Sequence, residues 1–192
     1  MERKEIQVRP AVIADIDSLA RLATVVFRET YGAAIAERVL GPYLARSFAP
    51  ETFARLLRET RTMLFVATAD GVIGGYGKLV AAPMPKETMP SSAVELSTLY
   101  IDRRYQGRGL GTALMNHALA WAAHQAYERM WLCVWQKNQQ ALAFYQRFGF
   151  VIVGEIEIVV DDVVFHDWVM HRSTTGSHTT VPSPAPASAE YF

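Results

Sequence analysis

Apolar and polar positions follow two different rhythms along the chain and together predict a mixed order of strands and helices. Short runs rich in β-branched and aromatic residues are typical of strands, whereas apolar residues three and four apart are typical of helices. The predicted strands are IQVRP, MLFVATAD, VIGGYGKLVA, AVELSTLYI, RMWLCVW, GFVIVGEIEIVV and VVFHDWVMH. The predicted helices cover about 16–27, 33–46 (interrupted at Gly41-Pro42), 51–60, 109–126 and 139–148. This order favours mixed α and β structure around one sheet.

Residues between these segments fit turns and helix caps. Asp70-Gly71 separates two predicted strands and favours a two-residue hairpin turn. Asp15 and Asp17 are both candidates to cap the first helix. Asn138 is placed to cap the last helix, which Gly149 would end.

The length and the change of composition near the end predict one domain with an appendage. The chain has 192 residues, a length that suits a single core. From Ser173 onward Ser, Thr, Pro and Ala dominate, and such a segment cannot bury enough apolar surface to fold. We therefore assign 5–172 to one folded domain and predict that 173–192 form a disordered tail.

Charge and cysteine content narrow the function classes. Nineteen basic and nineteen acidic residues give a formal net charge of zero, so no global field favours nucleic acid or an anionic membrane. The single cysteine, Cys133, excludes an internal disulfide and fits a reducing compartment. The opening MERKEIQVRP lacks the apolar core of a signal peptide, and no apolar run reaches the roughly 20 residues of a membrane span. We expect a cytoplasmic protein.

A glycine-rich loop joins the AVELSTLYI strand to the helix that follows it. The segment runs YIDRRYQGRGLGTALM, with Arg103, Arg104 and Arg108 beside the glycines. It lacks the Gly-Lys-Ser/Thr of a Walker A loop, and Thr112 stands where a dinucleotide fingerprint needs glycine. The bare amides and the helix N-terminus would suit a pyrophosphate. The alternative is a turn that only lets helix and strand pack closely.

Two segments in order resemble the core motifs of the GNAT superfamily of N-acetyltransferases. The first is QGRGLG, which matches the family pattern at Gln106, Gly109 and Gly111. The second lies about thirty residues on, in WLCVWQKNQQALAFYQRFGF, and matches at Asn138, Phe144, Tyr145, Gly149 and Phe150. The resemblance covers about 5–172 and implies an α/β (mixed α+β) fold with a single, mostly antiparallel central sheet flanked by helices.

The resemblance implies acetyl-CoA as co-substrate and assigns residues to it. Pantetheine would run beside Leu99, Tyr100 and Ile101, and Asn138 and Tyr145 would complete the cofactor set. The pyrophosphate would be held by the amides of a loop formed by Gln106, Gly107, Arg108, Gly109, Leu110, Gly111 and Thr112.

Two candidate catalytic residues follow from the same resemblance. Tyr145 would protonate the sulfur of the departing coenzyme A, since the family has a tyrosine there. Glu95 is a candidate base for the amine, and a solvated carboxylate at a strand end is the alternative.

Cys133 lies between tryptophans on a strand and is interpreted as an inert thiol, which predicts direct transfer without an acetyl-enzyme. No histidines stand at metal-ligand spacing, so no metal is expected.

The acceptor is predicted to be a small-molecule amine, and the motifs are similar to those of bacterial polyamine acetyltransferases. Residues 148–170 carry no Lys or Arg but hold five acidic residues, Glu155, Glu157, Asp161, Asp162 and Asp167. These carboxylates could bind a polycation, or they could simply line the exposed face of a hairpin. The alternatives are acetylation of protein N-termini or lysines, and an acyl-CoA-binding regulator with little turnover. We expect no nucleic acid or membrane partner, and a monomer or homodimer.

Overall fold

The computed structural model of the chain describes residues 5–85 and 92–174. Seven strands are β1 (Ile6–Pro10), β2 (Thr62–Ala69), β3 (Val72–Val80), β4 (Ala93–Ile101), β5 (Arg129–Trp135), β6 (Val151–Val160) and β7 (Val163–Ser173). Five helices are α1 (Ile16–Tyr31), α2 (Glu37–Ser47), α3 (Pro50–Leu56), α4 (Leu110–His124) and α5 (Gln139–Arg147). Single 3-10 turns precede α1 and follow β4.

The strands are hydrogen-bonded in the order β1-β2-β3-β4-β5-β7-β6. β4 and β5 run parallel, whereas the β1–β2, β2–β3, β5–β7 and β6–β7 pairs are antiparallel. The predicted mixed fold with one mostly antiparallel sheet is therefore confirmed. Asp70 and Gly71, with φ of 53° and 76°, form the predicted turn between β2 and β3.

The chain divides into two compact units, each with its own core. Of the described residues, the first comprises 5–81 and 96–121. In it the apolar stripe of α1 packs on β2 and β3, as the three-and-four spacing predicts. The buried members of this cluster are Leu19, Ala20, Leu22, Ala23, Val26, Phe53, Leu64, Val66 and Tyr76.

Of the described residues, the second unit comprises 82–85, 92–95 and 122–174. One cluster of its core contains Ala93, Trp131 and Val169, with Cys133 and Ile156 packed against them. The division falls within β4: its residues up to Glu95 belong to the second unit, and those from Leu96 onward belong to the first.

Two helix predictions are wrong in detail. α2 continues through Gly41 and Pro42 instead of breaking there. Proline removes one backbone donor, but Leu40 and Leu44 are buried on this helix, and their burial stabilises it. Asp15 does not cap α1 with its side chain; its carboxylate instead accepts from the Val12 amide at 2.8 Å and pairs with Arg9.

The predicted tail begins slightly too early. Ser173 is the last residue of β7 and pairs with Arg129. The amide of Thr174 donates to the carbonyl of Glu128 at 3.1 Å. The remainder of the predicted tail, 175–192, lies outside the described residues. Within the described ranges, no helix is long and apolar enough to cross a membrane.

Candidate functional site

The glycine loop of the first unit presents open backbone at the start of a helix. Gly107 and Gly109 have φ of 71° and 92°, a conformation that side chains disfavour. A Cβ added at Gly107 would meet no atom within 4 Å, so the space above the loop is open. α4 begins at Leu110, and the amide of Ala113 donates to the carbonyl of Gly109 at 2.9 Å. The amides of Leu110, Gly111 and Thr112 belong to the first helical turn, which lacks internal acceptors and suits an anion. Earlier in the loop, the amides of Gln106 and Arg108 donate to the carbonyls of Arg103 and Tyr105 at 3.3 and 3.4 Å.

A buried aspartate holds the chain where it enters this loop. Asp102 donates its amide to the carbonyl of Gly74 at 3.0 Å. Its carboxylate accepts from the Arg104 amide at 2.9 Å and from the Arg104 guanidinium at 2.7 Å. The hydrogen bond from Arg104 lowers the pKa of Asp102. The charge of Arg104 therefore partly neutralises the buried carboxylate of Asp102, and less of it is available to attract an anion to the loop.

Close packing behind the loop depends on Gly74 in β3. A Cβ at this position would lie 2.7 Å from Cγ of Tyr105 and 2.8 Å from Cδ2 of Leu110. Only a glycine lets these side chains approach the strand, and they set the direction in which the loop leaves it. Sequence reasoning missed Asp102, Gly74 and Tyr105. The glycine run VIGGYG inside a strand was the available signal for such an approach.

The other predicted cofactor residues of the first unit lie on either side of this packing. Gln106, Gly107, Arg108 and Gly109 are exposed, and the guanidinium of Arg108 lies 5.7 Å from the ring centre of Tyr105. The side chain of Leu110 is buried, so only its backbone faces the loop. The half-buried residues Leu99, Tyr100 and Ile101 end β4.

Asn138, Tyr145 and Glu95 belong to the second unit. Oδ1 of Asn138 accepts from the Ala141 amide at 3.1 Å, which confirms the predicted cap of α5. Gly149, with φ of 80°, follows that helix as predicted. Glu95 is half-buried on β4.

Tyr145 is enclosed by aromatic rings. Its ring lies 5.6 Å from that of Phe144 and 5.9 Å from that of Phe150, both near edge-to-face. Burial raises the pKa of Tyr145. The phenol therefore keeps its proton at neutral pH and is present in the acid form that a proton donor needs.

Cys133 is electrostatically unsuited to be a nucleophile. Burial, together with the charges of Asp167 and Glu95, raises the pKa of its thiol to about 12. A thiol with that pKa forms almost no thiolate at neutral pH. The inert role predicted from the sequence is supported by this environment.

The five acidic residues grouped by the sequence fall into two sets. Asp161 and Asp162 form the exposed turn between β6 and β7, and Glu155 and Glu157 are exposed on β6. Asp167 is buried, with 9% of the residue exposed. The search for metal-ligand groups, made over 5–85 and 92–174, finds none.

A family model for the acetyltransferase (GNAT) family matches residues 27–150. An uncharacterized N-acetyltransferase of Mycobacterium tuberculosis is 34% identical over 160 residues, covering 83% of this chain and 98% of that protein. The chain belongs to the GNAT family of acetyltransferases. The predicted enzyme class and the acetyl-CoA co-substrate are thereby confirmed at the level of the GNAT family.

Two further similarities concern the fold and one part of the chain. The PaiA N-acetyltransferase of Thermoplasma acidophilum, solved in complex with coenzyme A, has a TM-score of 0.69 at 18% identity. The match covers 88% of this chain and 99% of that one, and it shows the GNAT fold. The spermine/spermidine N(1)-acetyltransferase of Bacillus subtilis is 33% identical over 90 residues, which is 46% of this chain and 59% of that protein.

Proposed function

We propose that this enzyme transfers an acetyl group from acetyl-CoA directly to a primary amine. The observation that carries the proposal is the open glycine loop at the start of α4, since it offers backbone donors to an anion without side chains in the way. Family membership supplies the reaction class.

The cofactor would be held mainly by backbone. Amides of the 106–112 loop bind the pyrophosphate, chiefly those from Gly109 to Thr112, because the amides of Gln106 and Arg108 donate to the carbonyls of Arg103 and Tyr105. The partial positive charge of the helix N-terminus and the exposed Arg108 assist. Leu99, Tyr100 and Ile101 bind the pantetheine arm with the backbone of β4. Oδ1 of Asn138 accepts the capping hydrogen bond of α5, so its side-chain nitrogen is the group that would bind the cofactor.

The chemistry requires a neutral amine and a proton for sulfur. The amine nitrogen attacks the thioester carbonyl, the C–N bond forms and the C–S bond breaks. From the ammonium form, nitrogen loses two protons, sulfur gains one and one is released to solvent. Tyr145 donates the proton to sulfur, a role supported by its enclosed, protonated hydroxyl. Glu95 is the proposed base, and backbone amides of β4 stabilise the oxyanion.

A polyamine is the acceptor that we propose within this class. Partial similarity to the spermine/spermidine acetyltransferase of Bacillus subtilis supports it. The exposed carboxylates on β6 and at the Asp161–Asp162 turn also support it, because they could bind the distal ammonium groups of a polycation. Protein N-termini, lysines and a regulatory role without turnover remain the competing outcomes.

Calorimetric titration with acetyl-CoA tests the cofactor site through two matched glycines. Gly107 and Gly71 have φ of 71° and 76°, and a Cβ at either would meet no atom within 4 Å. Both Gly107→Glu and Gly71→Glu therefore carry the same backbone strain and charge change. We expect Gly107→Glu to abolish acetyl-CoA binding, because its carboxylate repels the pyrophosphate, and Gly71→Glu to bind normally. Equal affinity in both variants would contradict the site.

Thiol release from acetyl-CoA with spermidine, n-butylamine and lysine-containing peptides tests the reaction and the acceptor. We expect turnover with both amines and a lower KM for spermidine. Asp161→Asn combined with Asp162→Asn should raise the spermidine KM and leave that of n-butylamine unchanged, because only uniform binding of distal charges is lost. Turnover confined to peptides would replace the polyamine, and absence of thiol release with every acceptor would favour a regulator.

A further inference from the structure

Asp167 on β7 is a buried carboxylate that is left incompletely satisfied by its neighbours. Only 9% of the residue is exposed. Over the described parts of the chain, no group hydrogen-bonds to its Oδ1 atom. Buried polar atoms nearly always have a partner, so an exception of this kind needs an explanation.

Asp167 shares one face of the second unit with Glu95. In the β5–β7 register it lies opposite Trp135, two residues along β5 from Cys133. In the β4–β5 register Glu95 lies opposite Trp131, two residues from Cys133 in the other direction. Partners in a register and residues two apart on a strand face the same side. The thiol therefore stands between two carboxylates on three neighbouring strands.

The electrostatics of this face favour a cation. Both carboxylates raise the pKa of Cys133, so their fields overlap at the thiol. Burial raises the pKa of Asp167 to about 6, and only the charge of His166 opposes that rise. The ring of Trp135, opposite Asp167, already attracts the Lys137 ammonium, which lies 6.0 Å from the ring centre.

We propose that Asp167 receives the reacting ammonium group of the acceptor and removes its first proton. This inference rests on the acetyl transfer proposed above. The N–H bond breaks, its electron pair stays on nitrogen and the proton moves to the carboxylate of Asp167, which later releases it to solvent. The neutral amine then attacks the thioester. Nitrogen loses its second proton to Glu95 as sulfur gains one from Tyr145; Glu95 then loses a proton and Tyr145 regains one, so one proton is released in net.

Burial suits Asp167 to this step better than its exposed neighbours on the hairpin. An unperturbed aspartate, with a pKa of about 3.9, is a weak base at neutral pH. A base is most effective when its pKa approaches the operating pH, and burial moves Asp167 in that direction. Among the described residues no group hydrogen-bonds to Oδ1 of Asp167, so that side of the carboxylate is not already engaged by the protein.

Two substitutions at Asp167 separate its charge from its shape. Asp167→Asn keeps the shape and removes the base, whereas Asp167→Glu keeps the base and changes the shape. For n-butylamine and spermidine alike we expect Asp167→Asn to lower kcat/KM by about 10²-fold or more, the usual contribution of a positioned base. Asp167→Glu should retain more activity than Asp167→Asn. Acetyl-CoA affinity and thermal stability of Asp167→Asn should not fall, since a neutral amide replaces an unpaired buried charge.

The opposite results would overturn the proposal. A kcat/KM of Asp167→Asn within threefold of wild type shows that the carboxylate is not used, and greater activity in Asp167→Asn than in Asp167→Glu shows that shape matters instead. Loss of stability in Asp167→Asn shows that the carboxylate holds the fold. Wild-type turnover keeps these outcomes distinct, because absence of thiol release by the wild type with both amines defeats the acetyl transfer itself.

Discussion

Buried carboxylates behave oppositely in the two units of the molecule. Asp15 and Asp102 in the first unit are 6% and 9% exposed, and Asp167 in the second is 9% exposed. Asp15 accepts two hydrogen bonds from Arg9, at 2.7 and 2.9 Å, and Asp102 is bound in the same way by Arg104. Hydrogen bonds from these arginines lower the pKa of both residues, whereas burial raises that of Asp167. All three residues are buried, so the arginine partners of Asp15 and Asp102 account for the opposite direction of their pKa shifts.

From this difference we expect the two units to contribute differently to the reaction. In the first unit, the buried carboxylates of Asp15 and Asp102 accept hydrogen bonds from nearby residues of the chain. The surface open to a ligand there is the backbone of the glycine loop. In the second, Tyr145 and Asp167 are buried, and burial raises the pKa of both side chains. The first arrangement suits binding, and the second suits proton transfer.

The largest expected effect compares two buried tyrosines, one in each unit. Tyr145→Phe should lower kcat by about 10²–10⁴, the usual contribution of a positioned proton donor, while acetyl-CoA affinity is kept. Tyr76, in the first unit, is also buried and hydrogen-bonds to Thr98. Tyr76→Phe should leave kcat nearly unchanged and lower the free energy of unfolding by about 1 kcal/mol, the net contribution of one hydrogen bond. Steady-state kinetics and urea unfolding of both variants measure the contrast.

Near-normal turnover in Tyr145→Phe would remove the proposed acid from the mechanism. A large loss of kcat in both variants would show instead that the hydroxyls act through the fold, and the division between the units would then fail.

A smaller effect is expected on stability from the paired carboxylate of the first unit. Asp15→Asn should lower the free energy of unfolding by about 2–3 kcal/mol, because charge-assisted bonds from Arg9 are lost in a site where Asp15 is buried. Glu59→Gln is the control, since the pair that Glu59 forms with Arg55 is more exposed than the Arg9–Asp15 pair, and glutamine keeps an oxygen for the hydroxyl of Thr62. Its cost should stay below about 0.5 kcal/mol. Equal costs in urea unfolding would mean that the Arg9–Asp15 pair contributes no more than a surface pair.

Opposite pKa shifts predict opposite signs for Asp15→Asn and Asp167→Asn as pH changes. The pKa of Asp15 is lowered in the fold, so its contribution to stability is complete above its unfolded value of 3.8 and is lost only at more acidic pH. The pKa of Asp167 is raised from 3.8 to about 6. Above about pH 6 the residue is ionised in the fold, and its buried charge then lowers the free energy of unfolding by the largest amount. That penalty disappears as pH falls toward 3.8.

Melting temperatures at several pH values measure this difference. At neutral pH Asp15→Asn should melt below wild type and Asp167→Asn at or above it. Between about pH 6 and 4 the advantage of Asp167→Asn should vanish, while the deficit of Asp15→Asn persists. A neutral-pH deficit in Asp167→Asn that is as large as that of Asp15→Asn would show that the two carboxylates are equivalent after all.

Sequence reasoning succeeded where a feature is set by neighbours along the chain. The Asp70–Gly71 turn and the Asn138 cap depend on a few adjacent residues, and both are observed. The motifs were equally local, so the family could be inferred from them. The course of α2 through Pro42 was not predictable in this way, because burial of distant partners overrides the local preference of proline.

The candidate site was only partly predictable for the same reason. Sequence composition grouped Asp167 with the four exposed acidic residues near it, because all five lie within 148–170. Its separation from them depends on strand register, which determines which face a residue occupies. The roles of Gly74 and Asp102 likewise arise from contacts between β3 and the loop after β4.

The smallest expected effect concerns Cys133, which lies between the two carboxylates. Its pKa of about 12 leaves the thiol protonated, and direct transfer requires no covalent acetyl-enzyme. Cys133→Ala should therefore keep kcat within about twofold of wild type, a change of roughly 0.4 kcal/mol in the barrier. Initial rates with both substrates varied should give intersecting lines, as sequential transfer requires. Parallel lines, or an acetyl group found on Cys133 by mass spectrometry, would mean that the thiol carries the acetyl group. In that case the carboxylates beside it would serve the thiol, and the second unit would bind the amine elsewhere.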